Sequence, residues 1–253
     1  MRLVVIGDST AFTDDRGPQL PDEPTLYPQV LRRRLAVLLD EPVDLSVLAR
    51  PGNSVREVFR MLTKDQHAQF EVLAQADAVV VAVGSFDHAP AGVPAAVGEL
   101  VPYLRPARLR RRVRKTLHQA YPWLVRLRGA RHPRTPPAEF ERLYDAVLLQ
   151  VRGLARGAAG VVLGPTSQRA PHYAERDRPW ARGAALQSEV AERHGFPVVE
   201  SWPTVSAHLD SLNVDGIHWP PVVHGVIGEA LADALAGQLR GAAPRPHPVL
   251  AAG

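Results

Sequence analysis

The sequence predicts an α/β protein, a three-layer sandwich in which a central parallel sheet of about five strands lies between helices. Apolar, strand-like runs at 3–6, 43–48, 78–83, 160–163 and 197–199 carry this reading. Segments of helical periodicity alternate with them, which is the rhythm of βαβ units. With 253 residues, 45% of them hydrophobic, the chain can bury one substantial core. We therefore expect a single domain over 1–241, with 100–140 set into it as a cationic insertion or lid. The Pro- and Ala-rich end, 242–253, is expected to be a disordered tail.

The elements follow in order. Leu3-Val4-Val5-Ile6 is short, continuous and β-branched, as a buried parallel strand requires, and Gly7-Asp8-Ser9 turns the chain sharply out of it. Ser9 is thereby placed at the carboxyl edge of the sheet, where open α/β folds bind ligands. Tyr27 to Leu39 reads as the first crossover helix. Ser54 to Leu62 begins the second, with Ser54 as its N-cap, and Trp180 to His194 reads as a later one. Val222 to Leu239 closes the fold as an amphipathic C-terminal helix. The stretch from Arg105 to Arg134 breaks the rhythm, holding eleven Arg or Lys and no Asp or Glu, interleaved with Tyr121, Trp123 and several prolines. Such a run is either a solvated face or a cap over Ser9 whose arginines receive an anionic group.

Composition excludes several classes. There is no cysteine, so disulfides and thiolate metal sites are out. Met1-Arg2-Leu3 runs directly into the first strand without a signal-peptide pattern, and no run reaches the ~18 apolar residues of a membrane span. A cytoplasmic protein without a transmembrane segment is expected. Neither a Gly-x-Gly-x-x-Gly nor a Walker-type loop is present, so no nucleotide cofactor is expected. No His/Asp/Glu cluster has metal-site spacing, so no metal is expected either. The net charge of +4 rests almost wholly on arginine, since only Lys64 and Lys115 are lysines. That bias fits a GC-rich genome, and with no recognition motif beside it a nucleic-acid partner is not expected.

The chemistry lies at the two ends of the chain. Gly7-Asp8-Ser9 supplies a hydroxyl, and Asp215-Gly216-Ile217-His218 supplies a base with a carboxylate three residues before it. A serine becomes nucleophilic when a base takes its proton. An imidazole needs a carboxylate to hold its tautomer and to stabilise the imidazolium. Ser9, Asp215 and His218 are the expected catalytic residues.

These residues resemble the SGNH, or GDSL-type, hydrolase superfamily, which implies a flavodoxin-like sandwich and acyl transfer through serine. Within Arg50-Pro51-Gly52-Asn53-Ser54, Gly52 matches the family glycine whose N–H helps bind the oxyanion. Gly84-Ser85-Phe86-Asp87 matches the family's Gly-x-Asn-Asp block except that Phe86 replaces the asparagine. A phenyl ring donates no hydrogen bond, so the resemblance leaves Ser9 and Gly52 as oxyanion donors, with Asn53 as a substitute third. The alternative is a slow, selective enzyme, since losing one donor costs about 2.7–4 kcal/mol. Asp8, Phe86, Asp87, His88 and Trp219 are the expected substrate-binding residues. His88 is equally a loop histidine with a local partner, and His224 is expected to pack or cap.

A narrower similarity spans most of the chain. Gly-Asp-Ser, Gly17 to Pro24, Tyr27-Pro28, the block lacking its asparagine, Tyr103-Leu104-Arg105-Pro106 and Asp215 to Trp219 are together similar to the actinobacterial diglucosylglycerate octanoyltransferases. This implies an acyl donor, an acyl-CoA or acyl ester, and a glycosylated acceptor. The insertion's arginines would then meet CoA phosphates, a phosphopantetheine arm or a glycerate carboxylate. An esterase using water as acceptor and a catalytically idle binding protein are the other readings. Oligomeric state is left open.

Overall fold

The computed structural model describes residues 1–94, 100–128, 131–175 and 178–241; the expected tail at 242–253 lies outside them. Five parallel strands form the sheet: β1 (Arg2–Gly7), β2 (Asp44–Ala49), β3 (Ala78–Ala82), β4 (Ala159–Leu163) and β5 (Val198–Val199). They lie in the order β2-β1-β3-β4-β5, paired parallel throughout. In this order the chain changes winding direction between β1 and β3, and their carboxyl ends open a crevice there.

Alternation along the strands builds two cores. Leu3 and Val5 of β1 point to one face, against Tyr27, Leu31 and Leu35 of α1 (Tyr27–Leu39) and Ile227 and Leu231 of the C-terminal helix (Pro221–Gly241). Val4 and Ile6 point to the other face, against α2 (Val55–Lys64), a helix at Pro137–Leu154 and another at Arg178–Arg193. Ser54 caps α2 in a reciprocal capping box with Glu57, as its position before the apolar periodicity predicts. The two helices that close the first face touch closely, since a Cβ at Gly228 would meet Val30 at 2.7 Å.

Between β3 and β4 the insertion is built around α3 (Ala107–Leu127), followed by α4 (Pro137–Leu154); α5 is then Arg178–Arg193 and α6 is Pro221–Gly241. Neither α3 nor α4 stands out in the sequence. In α3 the arginine run and Pro122 hide the apolar stripe, which is reduced to Tyr121 and Val125. These two join Ala89, Ala170, Tyr173 and Trp180 in a third, small core beside the carboxyl edge of the sheet. α4 begins inside the segment assigned to the insertion, with Phe140 already fully buried in the main core. Among the described residues no helix is long and apolar enough to cross a membrane.

Candidate active site

Four loops meet at the carboxyl edge. The one after β1 brings Ser9. Asp8 before it is buried and caps the short turn Ser9–Ala11, accepting from the Thr10 N–H at 2.9 Å and the Thr10 hydroxyl at 2.8 Å. Burial raises the Asp8 pKa above the usual carboxylate value, with the Thr10 bonds and the His218 imidazole opposing. Asp8 thus borders the pocket but spends its oxygens on holding the serine turn.

The loop before α6 brings the partners. His218 Nε2 lies 2.9 Å from Ser9 Oγ, and His218 Nδ1 lies 2.5 Å from Asp215 Oδ2. Asp215 Oδ1 accepts the N–H groups of Ile217 at 2.8 Å and of His218 at 3.2 Å, so the carboxylate is fixed by its own turn. Burial pushes the Asp215 pKa up, but the imidazole and these two N–H groups outweigh it and leave the carboxyl below its ordinary value. Gly216 makes the turn possible. Its φ is +70°, and a Cβ there would strike the Arg169 carbonyl. The same carbonyl-lined loop is strapped on by the Arg169 N–H, which donates to the Gly216 carbonyl at 2.8 Å. Asn213 Nδ2 donates to the Asp14 carbonyl at 3.2 Å, tying the histidine loop to the chain just after Ser9.

The loop after β2 presents Gly52 at φ +62°, where a Cβ would press on the Phe86 ring at 3.3 Å. Among the described residues, neither the Ser9 nor the Gly52 N–H meets a backbone or side-chain acceptor. Both residues line the cavity that holds the serine hydroxyl, and a developing oxyanion needs N–H donors not already spent on the protein. Phe86 stands over Gly52 with the Arg134 guanidinium 4.1 Å from its ring centroid. Beside it, the Ser85 hydroxyl accepts the Thr166 N–H at 3.1 Å.

A cavity of ≈ 170 Å³ runs inward from Ser9, walled by Phe86, Ala89, Tyr173, Trp180 and Ile217. Tyr173 and Trp180 come from the segment after β4, where nothing in the local sequence marks them. They reach the site because they pack edge to face, at 5.6 Å between ring centroids, and Trp180 Nε1 donates to the Ser85 carbonyl at 2.7 Å.

Four expected site residues are placed elsewhere. Asn53 does not line the cavity: its Nδ2 donates to the Gly7 carbonyl at 2.9 Å and its N–H to the Arg50 carbonyl at 3.3 Å, which locks the Gly52 loop onto β1. Asp87 is fully buried away from the cavity, accepting from the Val55 N–H at 2.8 Å and the Thr135 hydroxyl at 2.6 Å. Burial pushes it up to about 6 despite those bonds. His88 packs against Phe140, ring centroids 4.2 Å apart, and burial lowers it to about 4. Trp219 belongs to the core, against Tyr27 and His224, with its Nε1 donating to Thr166 Oγ1 at 3.1 Å. His224 packs and caps as expected, its Nδ1 accepting the Tyr27 N–H at the start of α1.

No protein-family model matches the chain. Among solved structures, a lipase/acylhydrolase from Enterococcus faecalis superposes with a TM-score of 0.63 at 16% identity, covering 94% of this chain and 97% of that one. A GDSL-like lipase from Parabacteroides merdae superposes with a TM-score of 0.58 at 14% identity, covering 94% and 95%. Two sequence relatives are diglucosylglycerate octanoyltransferases. The protein from Mycolicibacterium hassiacum is 29% identical over 244 residues, 92% of this chain and 94% of its own length. The one from Mycobacterium tuberculosis is 30% identical over 244 residues, 92% of each. Fold and relatives define an enzyme of the SGNH class, whose members are acyltransferases and ester hydrolases. Within that class, the chain belongs to the diglucosylglycerate octanoyltransferase family.

Proposed function

We propose that the protein transfers a medium-chain, octanoyl-like acyl group from a thioester or ester donor to a sugar hydroxyl, such as that of a glucosylglycerate, through an acyl-serine. The observation that carries this is the hydrogen-bonded series Ser9, His218, Asp215 at the mouth of an apolar cavity. Ser9 Oγ attacks the carbonyl carbon while His218 Nε2 takes its proton. Asp215, ionised, keeps Nδ1 protonated so that Nε2 is free to accept. The oxyanion forms at the Ser9 and Gly52 N–H groups, and the proton on His218 passes to the leaving thiolate or alkoxide. The acceptor hydroxyl then attacks the acyl-serine, giving up its proton to the same imidazole.

The size of the cavity supports the chain length. Apolar protein cavities of about 150 Å³ hold a six-carbon ring, so ≈ 170 Å³ suits a chain of similar or slightly greater carbon count. The relatives' activity supports both the acyl group and the acceptor class. To test the reading, the protein is incubated with octanoyl-CoA or an octanoyl ester, with and without a glucosylglycerate, and products are identified by mass spectrometry. Octanoyl glucosylglycerate in excess over free octanoate supports transfer. Octanoate alone, whether or not acceptor is present, replaces transfer with hydrolysis.

A further inference from the structure

A second, larger cleft of ≈ 810 Å³ lies between the insertion and the start of α2, and it shares Gly52 and Phe86 with the acyl cavity. It therefore adjoins the acyl cavity at the Gly52 loop and Phe86. Among the described residues, Arg56, Arg60, Arg114 and Arg134 border it, against the single carboxylate of Glu57. Arg56 is paired with Glu139, and Glu57 is held by Ser54 in the α2 capping box. Arg134 sits over Phe86 with the Tyr121 hydroxyl at 3.4 Å and the Tyr173 hydroxyl also beside it, both neutral partners. Among the described residues, neither Arg60 nor Arg114 forms an ion pair. Three guanidinium groups from different elements thus border one space with, among the described residues, only the Glu57 carboxylate set against them, a net excess of positive charge. The far wall is aromatic: Tyr121 stacks on His172 at 4.4 Å and 4°, and His118 stacks on His172 at 4.9 Å. Burial, with His118 and Arg134 nearby, lowers His172 to about 4, so the His172 imidazole adds no charge near neutrality.

We propose that this cleft binds an anionic co-substrate, with Arg60, Arg114 and Arg134 receiving a carboxylate or phosphate group while the reacting atoms reach Ser9 past Phe86. The proposal rests on the acyl-serine reading above and names what the second cleft recognises. The same chemistry has two sources, the carboxylate of a sugar-acid acceptor and the phosphates of a CoA donor. Guanidinium forks suit either, since both present coplanar oxygens to paired N–H donors.

The test compares charged and neutral partners in the wild type and in a Arg60→Ser/Arg114→Ser double variant. With p-nitrophenyl octanoate as donor, KM is measured for glucosylglycerate and for neutral glucosylglycerol. With one acceptor fixed, KM is measured for octanoyl-CoA and for p-nitrophenyl octanoate. We expect the double variant to lose on the order of tenfold in the charged-over-neutral KM ratio for at least one pair, equivalent to ~1.4 kcal/mol. Loss in the acceptor pair identifies the carboxylate, and loss in the donor pair identifies the phosphates. In the wild type, rising salt should erode the same ratio, a readout that does not depend on the variant folding. Ratios unchanged in both pairs, by substitution and by salt, would overturn the proposal. Acylation of wild-type Ser9 by p-nitrophenyl octanoate is followed separately: its absence sinks the acyl-serine reading, whereas acylation with unchanged ratios sinks only the anion cleft.

Discussion

Replacing Asp215 by asparagine isolates the proton logic of the site because the structure dictates how the new amide must lie. In the native turn Oδ1 accepts two backbone N–H groups, at 2.8 and 3.2 Å, and Oδ2 faces His218 Nδ1 at 2.5 Å. An asparagine has one oxygen to place. Turned towards the imidazole, it would leave its NH₂ against the N–H groups of Ile217 and His218, donors facing donors. The turn therefore holds the oxygen, and the NH₂ faces Nδ1. That forces Nδ1 to accept and moves the imidazole proton to Nε2, 2.9 Å from Ser9 Oγ, so the base can no longer take the serine proton. The corresponding exchange in a serine-protease triad costs on the order of 10⁴ in turnover, or about 5 kcal/mol at 1.36 kcal/mol per decade. We expect a loss of that order in burst-phase acylation by p-nitrophenyl octanoate, with the thermal midpoint little changed because the turn keeps its hydrogen bonds. Turnover within tenfold of wild type would refute the tautomer argument.

Three further outcomes follow from the same geometry. Gly52→Ala places a Cβ at φ +62° and 3.3 Å from Phe86, at a strain of roughly 1–2 kcal/mol. It should lower kcat for acylation far more than KM, and an unchanged kcat would remove Gly52 from the oxyanion site. Ile217→Trp fills part of the acyl cavity, so the preference among p-nitrophenyl esters should move from octanoate towards butyrate; a uniform loss across chain lengths would count against the cavity as the acyl site. His224 is buried and lowered to about 4, against an ordinary value of 6.5. The unfolded chain therefore takes up its proton first as pH falls, and this contribution is complete above pH 6.5 and lost progressively towards pH 4. It amounts to about 3 kcal/mol. His88 acts with the same sign, whereas Asp87, raised to about 6, acts oppositely, stabilising below pH 3.8 and losing that contribution as pH rises through 6. His224→Asn, which keeps an acceptor for the Tyr27 N–H, should flatten the fall in denaturation midpoint between pH 6.5 and 4; an equally steep fall would contradict the buried neutral imidazole.

What the sequence made legible was local. The strand β1 and the Gly-Asp-Ser turn are continuous in the chain, and so are Asp215, Gly216, Ile217 and His218, whose spacing reflects one turn of backbone. Ser54 was readable as a cap because it stands directly before the apolar periodicity of α2. The pocket walls were not readable in this way. Tyr173, Trp180 and Tyr121 meet only because α3 folds back over the segment after β4, and no periodicity announces that contact. Nearness in sequence also misled. Asp87 and His88 follow Phe86 in a single helical turn, where successive side chains point about 100° apart. Phe86 consequently faces the site while its neighbours face α2 and α4. Asn53 and Trp219 likewise sit beside site residues and turn into the scaffold that holds them.

The most direct measurement is a pulse and chase on the intact protein. Octanoyl ester is added in substoichiometric amount, the protein mass and the modified peptide are read at once, and glucosylglycerate is then supplied. We predict one octanoyl group on the peptide containing Ser9, absent in Ser9→Ala, that disappears on the chase as octanoyl glucosylglycerate forms at the same rate. Acylation at another residue, equal turnover by Ser9→Ala, or product formed while the Ser9 ester persists would contradict transfer through Ser9.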